Sequence, residues 1–243
     1  MPIPHSPMQN HLLAALPAAE FGRISKDVEL VHLAHNVSLY ESGMRLQYVY
    51  FPTTCIVSLM YVLEDGASAE IAVVGNEGIV GVSMFMGGET TPNRAIVQSE
   101  GYAYRLRGQL LRDEFDRAGT VLRILLRYTQ ALITQMTQTA VCNRHHTVEQ
   151  QLCRWLLLSL DRRSSDSVVM TQQMIANLLG VRRERVTEAA GNLQRAGLIS
   201  YSRGAIQVLN RSGLEKIVCE CYGVIKREFD GLLADIPEAN SGH

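Results

Sequence analysis

The spacing of apolar and polar positions changes twice along the chain. From Val28 to Leu106, apolar residues fall in short or alternating runs separated by turn residues: Val28–Ala34, Val37–Gly43, Gln47–Pro52, Cys55–Gly66, Ala69–Gly75, Arg94–Gly101 and Tyr102–Leu106. About seven strands at this spacing predict an all-β sandwich or barrel-like roll. Glu64-Asp65-Gly66 is the clearest hairpin turn. Gly75–Gly88, rich in glycine and apolar residues, predicts a tight segment inside the roll. Before the strands, Met1–Asn10 holds three prolines and predicts a loose arm, and His11–Ile24 predicts one or two short helices, the second starting at Pro17.

From Gly119 to about Cys142 the period becomes helical, with no glycine or proline after the first residue. Val121, Leu125, Tyr128, Leu132 and Met136 form one stripe, and Leu122, Leu126, Thr129, Ile133 and Ala140 a neighbouring one. A helix of this size is about 36 Å long. Two stripes call for two partners: the roll, and a second copy of the helix in a parallel coiled coil. We assign the first stripe to the dimer helix. Asn143–His146 interrupts the pattern as a hinge, after which Thr147–Leu160 resumes as an apolar-rich helix, followed by a loop at Asp161–Ser167.

Met170–Leu193 then reads as two short amphipathic helices about a glycine turn. Met174, Ile175, Leu178 and Leu179 share a face on the first; Val186, Ala189, Ala190 and Leu193 share one on the second. Thr171 suits an N-cap and Gly180 the left-handed residue that ends a helix. A turn this tight crosses the helices steeply, as in a helix-turn-helix. The outward residues of the second helix, Arg182, Arg183, Arg185, Glu188 and Asn192, are types that hydrogen-bond base edges and phosphates. Leu198–Leu209 alternates about Ser202-Arg203-Gly204, a hairpin that completes a winged helix, with Arg203 placed to touch a phosphate. Ser212 predicts the N-cap of a last helix carrying Leu214, Ile217, Val218, Cys221, Ile225, Phe229 and Leu232 on one face, and the chain from Pro237 onward predicts a disordered tail.

Charge sharpens this division. Residues 1–142 hold 10 Lys+Arg against 13 Asp+Glu, residues 143–214 hold 10 against 5, and residues 215–243 hold 3 against 6. The basic excess sits with the paired helices, where an anionic duplex would bind. Cys55, Cys142, Cys153, Cys219 and Cys221 are odd in number and lack C-x2-C pairs, which predicts buried thiols in a reducing cytoplasm and no metal site. His32 and His35 fall in a strand, where residues three apart face opposite sides. Cys142, His145 and His146 invite a redox or nucleophile reading, but no third catalytic group accompanies them. Cys219 and Cys221, if helical, diverge by about 200°. No apolar run is suited to spanning a membrane and no leader is evident.

Roll, long helix and winged helix in this order resemble the Crp/Fnr family of bacterial transcription regulators over about residues 10–210. The most specific stretch is Thr171-Gln172-Gln173 through Gly180 to Arg183-Glu184-Arg185-Val186, similar to the family pattern T-x-x-x-I-A-x-x-x-G-x-x-R-E-x-V. The resemblance implies that Arg183 and Glu184 read guanine and cytosine edges. It departs at Arg182, where the family usually has a serine cap, and at Glu188, where many members have arginine, so the operator is expected to differ. In cyclic-nucleotide-binding members a Gly-Glu pair holds the ribose and an Arg-Ser pair the phosphate. The matching positions here are Gly78-Ile79 and Asn93-Arg94, and Thr137 matches a base-contacting hydroxyl. Isoleucine accepts no hydrogen bond from a ribose hydroxyl, which argues against cyclic nucleotide and leaves haem or another small effector open.

The expected architecture is α+β: an arm (1–10), a jelly-roll-like β-roll of the double-stranded β-helix type (11–118), a dimerisation helix (119–142), a hinge (143–146), a winged helix-turn-helix (147–213) and a C-terminal helix and tail (214–243). The expected function is that of a cytoplasmic, non-enzymatic regulator that binds double-stranded DNA as a homodimer, with RNA polymerase as a further partner and no membrane. The alternative is a small-molecule-binding signalling module whose basic domain docks a protein.

Overall fold

The computed structural model describes residues 5–88, 90–162, 167–202 and 204–234. Contacts divide the chain into two units. The first comprises the residues up to Val57, Val74–Leu132 and those from Glu228; the second comprises Ser58–Val73 and Ile133–Arg227.

The first unit opens with two short helices, α1 (His11–Ala14) and α2 (Ala18–Ile24). The expected arm at residues 1–10 is corrected for residues 5–10. Ser6 and Gln9 form a capping box around a single 3-10 turn at Pro7–Gln9. Asn10 is wholly buried; its amide donates to the carbonyls of Pro52 and Gly78 at 2.9 and 2.8 Å, and its Oδ1 accepts from the N–H groups of Leu12 and Leu13. A buried amide with every partner in place fixes this segment rather than leaving it loose.

The strands are β1 (Glu29–Leu33), β2 (Ser38–Tyr40), β3 (Tyr48–Pro52), β4 (Ile56–Val62), β5 (Ser68–Val74), β6 (Arg94–Ser99) and β7 (Gly101–Arg107). They form two sheets, of order β1-β7-β3 and β2-β6-β4-β5. The strand runs read from the sequence each meet a strand. β7 is antiparallel to both neighbours, with Tyr104 opposite Leu30 on one side and Phe51 on the other. The β4–β5 turn is the expected Glu64-Asp65-Gly66, with Gly66 at φ +85° and the Leu63 N–H donating to the Ala67 carbonyl at 2.8 Å.

Helix α3 (Gly108–Asp116) closes the roll and was not foreseen, because Leu110, Leu111 and Phe115 are too few to declare a period. Helix α4 (Thr120–His145) follows. Its first N–H groups, at Thr120 and Val121, are capped by the Glu20 carboxylate at 3.1 and 2.9 Å. Val121, Leu125, Tyr128 and Leu132 are buried within the chain and Met136 is half-buried. The assignment of this stripe to the dimer helix is therefore corrected. The neighbouring stripe keeps Leu126 at 52% and Ile133 at 49% exposure, with Ala140 also exposed.

The hinge is also shorter than expected. Asn143, Arg144 and His145 continue α4, and the chain breaks at His146–Thr147. Basic residues in a last helical turn offset its dipole, while Thr147 begins α5 (Val148–Asp161) through a capping box with Gln150. In the second unit, α5 packs on α6 (Gln172–Leu179) and α7 (Arg183–Arg195), and a three-stranded sheet of order β8-β10-β9 contacts α5 through β8 and α7 through β9. Its strands are β8 (Ser167–Val169), β9 (Ile199–Ser202) and β10 (Ala205–Val208). The hairpin β9–β10 was expected and β8 was not. The single C-terminal helix is replaced by two, α8 (Arg211–Ile217), capped by Asn210 instead of Ser212, and α9 (Glu220–Asp230). Extended backbone at Val218 separates them. The expected tail from Pro237 and the wing residue Arg203 lie outside the described residues.

Candidate nucleic-acid interface

Helix α6 starts at Thr171, whose side chain accepts the Met174 N–H at 3.3 Å. It stops at Gly180, which is left-handed at φ +66°. The turn to α7 is thus three residues long, Gly180 to Arg182, and Ile175, Leu178 and Leu179 on α6 are buried together with Val186, Ala189, Ala190 and Leu193 on α7. Burying seven apolar side chains stabilises the pair by roughly 1 to 3 kcal/mol each, which holds the outer face of α7 at a fixed angle to α6.

That outer face carries the charges. Arg182, Arg183, Glu184, Arg185 and Glu188 are all exposed, and no side-chain hydrogen bond or ion pair joins them to the described residues. Arg182 caps α7 with its backbone only, as its chemistry implies. Three guanidinium groups at a helix N-terminus, where the helix dipole is also positive, make a site for phosphate oxygens and guanine edges. Glu184 between them supplies an acceptor suited to a cytosine amino group.

Neighbouring polar residues shape the approach. The Thr187 hydroxyl donates to Gln172 Oε1 at 2.7 Å, joining the two helices. Gln173 donates to Asn177 at 2.9 Å along α6. Tyr201, on β9, donates its hydroxyl to the Met170 carbonyl at 3.0 Å. Thr171, Gln172, Gln173, Arg183, Tyr201 and Ser202 line an open depression of about 500 Å³. Tyr201 was not foreseen as part of this surface; alternation along the wing placed it only as one residue of a strand.

Asn192 is corrected. Its amide nitrogen donates to Glu149 of α5 at 2.8 Å and its Oδ1 accepts from Arg195. Both ends are committed within the protein, and the side chain is half-buried. It anchors α7 to α5.

The residues expected to hold an effector do not make a nucleotide cradle. Ile79 is buried, 1% exposed, and Gly78 is packed under Tyr128 of α4: a Cβ at Gly78 would lie 2.6 Å from the ring. Arg94 pairs with Glu41 at 3.3 Å. Thr137 is exposed and donates to the Ile133 carbonyl of its own helix. With a tyrosine filling the space, no acceptor for a ribose and the arginine already paired, these residues do not fit a cyclic nucleotide. A separate basic depression of about 390 Å³ in the first unit is lined by Arg45, Gln47, Tyr48, Met84, Arg107 and Arg112.

His32 lies on β1 as expected and stacks edge-on against Tyr102; His35 falls in the turn after β1 instead of the strand, with Nδ1 3.0 Å from the Gln98 carbonyl. All five cysteines are buried, but Cys219 precedes α9 instead of lying on it, so Cys219 and Cys221 are not splayed by a helix. Their sulfurs gather with those of Cys142 and with His146, while His145 points away into solvent. The Cys142 and Cys219 sulfurs share a hydrogen bond at 3.6 Å, which pushes the Cys219 thiol down and the Cys142 thiol up. Burial pushes Cys55 and Cys153 up to about 12, with the Glu149 carboxylate adding to it at Cys153.

Two family models match the chain: a cyclic nucleotide-binding domain over residues 30–118 and a Crp-like helix-turn-helix domain over residues 150–217, together more than half of its length. Among solved structures, a putative Crp/Fnr-family transcriptional regulator from Eubacterium rectale is similar at a TM-score of 0.67 and 15% identity, covering 84% of this chain and 96% of that one. FixK2 from Bradyrhizobium japonicum is similar at 0.66 and 18%, covering 79% and 98%. The c-di-GMP-responsive regulator CLP of Xanthomonas campestris is similar at 0.62 and 15%, also covering 79% and 98%. No curated protein sequence matches the chain.

Proposed function

This chain belongs to the Crp/Fnr family of transcriptional regulators, and from that premise we propose that it binds a palindromic operator as a homodimer under the control of a signal at the β-roll. The observation that carries the reading is the first turn of α7. There Arg182, Arg183, Glu184 and Arg185 stand exposed and unpaired among the described residues, on a helix rigidly held by α5 and α6. Arg183 and Glu184 read base edges, Arg182 and Arg185 hold phosphates, and Glu188 alters the half-site one turn further on.

The exposed residues Leu126, Ile133 and Ala140 of α4, with half-buried Leu122 on the same stripe, support the homodimer. In a twofold dimer the two copies of α7 enter successive major grooves about 34 Å apart. The signal is a small effector other than a cyclic nucleotide, haem being one chemistry in that class. It acts only by binding one arrangement of the helix pair better than the other, with the break at His146–Thr147 transmitting the change. No described helix is long and apolar enough to cross a membrane. The protein acts in the cytoplasm, where DNA and RNA polymerase are.

Salt separates this reading from docking on a protein partner. Affinity for a duplex carrying the operator is expected to fall about a thousandfold or more between 50 and 200 mM salt if six or more phosphates are contacted. A shallow dependence, with tight binding retained, contradicts DNA as the partner.

A further inference from the structure

Cys142 lies in the last turn of α4 and His146 directly follows the helix, four residues on, a spacing that sets both side chains on one face. The His146 N–H donates to the Cys142 carbonyl at 3.0 Å, so the turn is closed. Gln151 of α5 braces the same turn, its amide donating to the His146 carbonyl at 3.0 Å. Cys219 lies in the extended link after α8, and Cys221 in the first turn of α9.

These two segments, more than seventy residues apart in sequence, deliver four ligand atoms that all lie within 4.8 Å of one another. Cys142 Sγ is 3.6 Å from Cys219 Sγ, and Cys221 Sγ is 3.6 Å from His146 Nδ1. A tetrahedral ion with bonds of about 2.3 Å to sulfur and 2.0 Å to nitrogen separates its ligand atoms by roughly 3.6 to 3.8 Å. An iron–sulfur cluster is several ångströms across and holds its cysteine sulfurs farther apart. The observed spacing suits a single ion.

The surroundings complete the arrangement. His146 points Nδ1 at the sulfurs and sets Nε2 3.3 Å from the Glu220 carboxylate, which fixes the tautomer that leaves Nδ1 free to ligate. The three cysteines are buried, while His146 keeps 15% of its side chain exposed, leaving a path for entry. Arg154, itself buried with its Nε without a hydrogen bond, supplies positive charge that acts on Cys142 and Cys221. Three thiolates on a divalent cation carry one net negative charge, and a buried guanidinium offsets it.

We propose that Cys142, His146, Cys219 and Cys221 bind one zinc ion in a closed tetrahedral site that staples the end of α4 to the start of α9. On binding, the ion displaces the three thiol protons to solvent and takes the lone pair of neutral His146 Nδ1. No electron is transferred. Four protein ligands leave no open position, so the site is structural and not hydrolytic. The sequence, with no C-x2-C pair and with Cys219-x-Cys221 read as helical, leads to the opposite expectation.

The test uses full-length protein purified under reducing conditions without chelator. Elemental analysis is expected to find about one zinc per chain, and replacement by Co2+ to give the intense visible bands and near-ultraviolet thiolate band of a tetrahedral thiolate site. Cys219→Ser and Cys142→Ala should fall to about a tenth of that content or less, and Cys55→Ala should retain it. Should the ligand variants fail to fold, the cobalt spectrum of the unmodified chain still decides. Zinc well below one per chain together with no cobalt thiolate band overturns the proposal, as does a Cys142–Cys219 disulfide or an iron–sulfur chromophore in the same preparation.

Discussion

Thr187 on α7 donates its hydroxyl to Gln172 on α6 at 2.7 Å, and it is the side-chain bond that ties the exposed ends of the two helices together. The same hydroxyl reaches the Arg183 carbonyl at 3.1 Å, so it also braces the turn that presents Arg183. An exposed hydrogen bond contributes only about 1 kcal/mol, but a small error in the angle of α7 is multiplied at the tips of its arginines. Thr187→Val is expected to lower operator affinity about three- to tenfold with no more than a small change in thermal stability, read by fluorescence anisotropy and melting. Unchanged affinity would assign the bond to surface solvation alone.

Gly180 is left-handed at φ +66°, and a Cβ there would sit 3.4 Å from Ala69 Cβ. Contact is tolerable; the backbone is the obstacle. Gly180→Val should cost about 1 to 2 kcal/mol from the left-handed conformation, seen in urea denaturation, and should weaken DNA binding in parallel. A variant as stable as the parent would show that the α6–α7 turn relaxes to another conformation.

The exposed α4 stripe predicts the oligomeric state. Leu126→Asp with Ile133→Asp puts two charges at positions that stay 52% and 49% exposed in this chain. Sedimentation should shift from dimer to monomer, and operator affinity should drop at least a hundredfold, since one half-site replaces two. Tyr128→Asp, by contrast, should unfold the protein, because Tyr128 is wholly buried within the chain. If the double variant still sediments as a dimer, the pairing surface lies elsewhere.

Glu70 predicts a pH dependence. It is buried, and desolvation pushes its carboxyl up to about 7 from 4.5, against the hydrogen bond from Ser58 and the charges of Arg154 and Arg162. The Ser58 bond is 2.5 Å. Between these two values the folded chain holds a proton that the unfolded chain has lost. Stability from this group is therefore full below 4.5, falls as pH rises to about 7, and levels off above it. The difference amounts to roughly 3 kcal/mol at most. Glu70→Gln, neutral throughout, should remove that fall when denaturation at about pH 5 and about pH 8 is compared with the parent protein. An identical slope in both proteins would mean that Glu70 is ionised in the fold.

Local period carried most of the fold. The alternating runs became β1 to β7, and Thr171, Gly180 and the two apolar faces fixed α6 and α7 to within two residues, because caps and amphipathic stripes act within a few positions. Partners distant in sequence were illegible. Asn192 carries the chemistry of a base contact, and only the fold shows its amide held by Glu149, 43 residues away. Gly78 matched the glycine of a ribose-holding pair, but a Cβ there would lie 2.6 Å from Tyr128. The α4 stripes were both visible, while their burial was not, since either could have met the roll. The break at Val218 turned an improbable cysteine pair into two converging sulfurs, and no period announces a break of one residue.

The central claim concerns α7, and the measurement that tests it most directly is selection of bound duplexes from a random pool, with the parent protein and with Arg183→Ala side by side. The account predicts an enriched inverted repeat with half-site centres about one helical turn apart, a guanine at one half-site position, and loss of preference at that base pair alone in the variant, with discrimination reduced by roughly 1 to 3 kcal/mol. The same sequence logo from both proteins, or no enrichment from either with or without cell extract added, would contradict it.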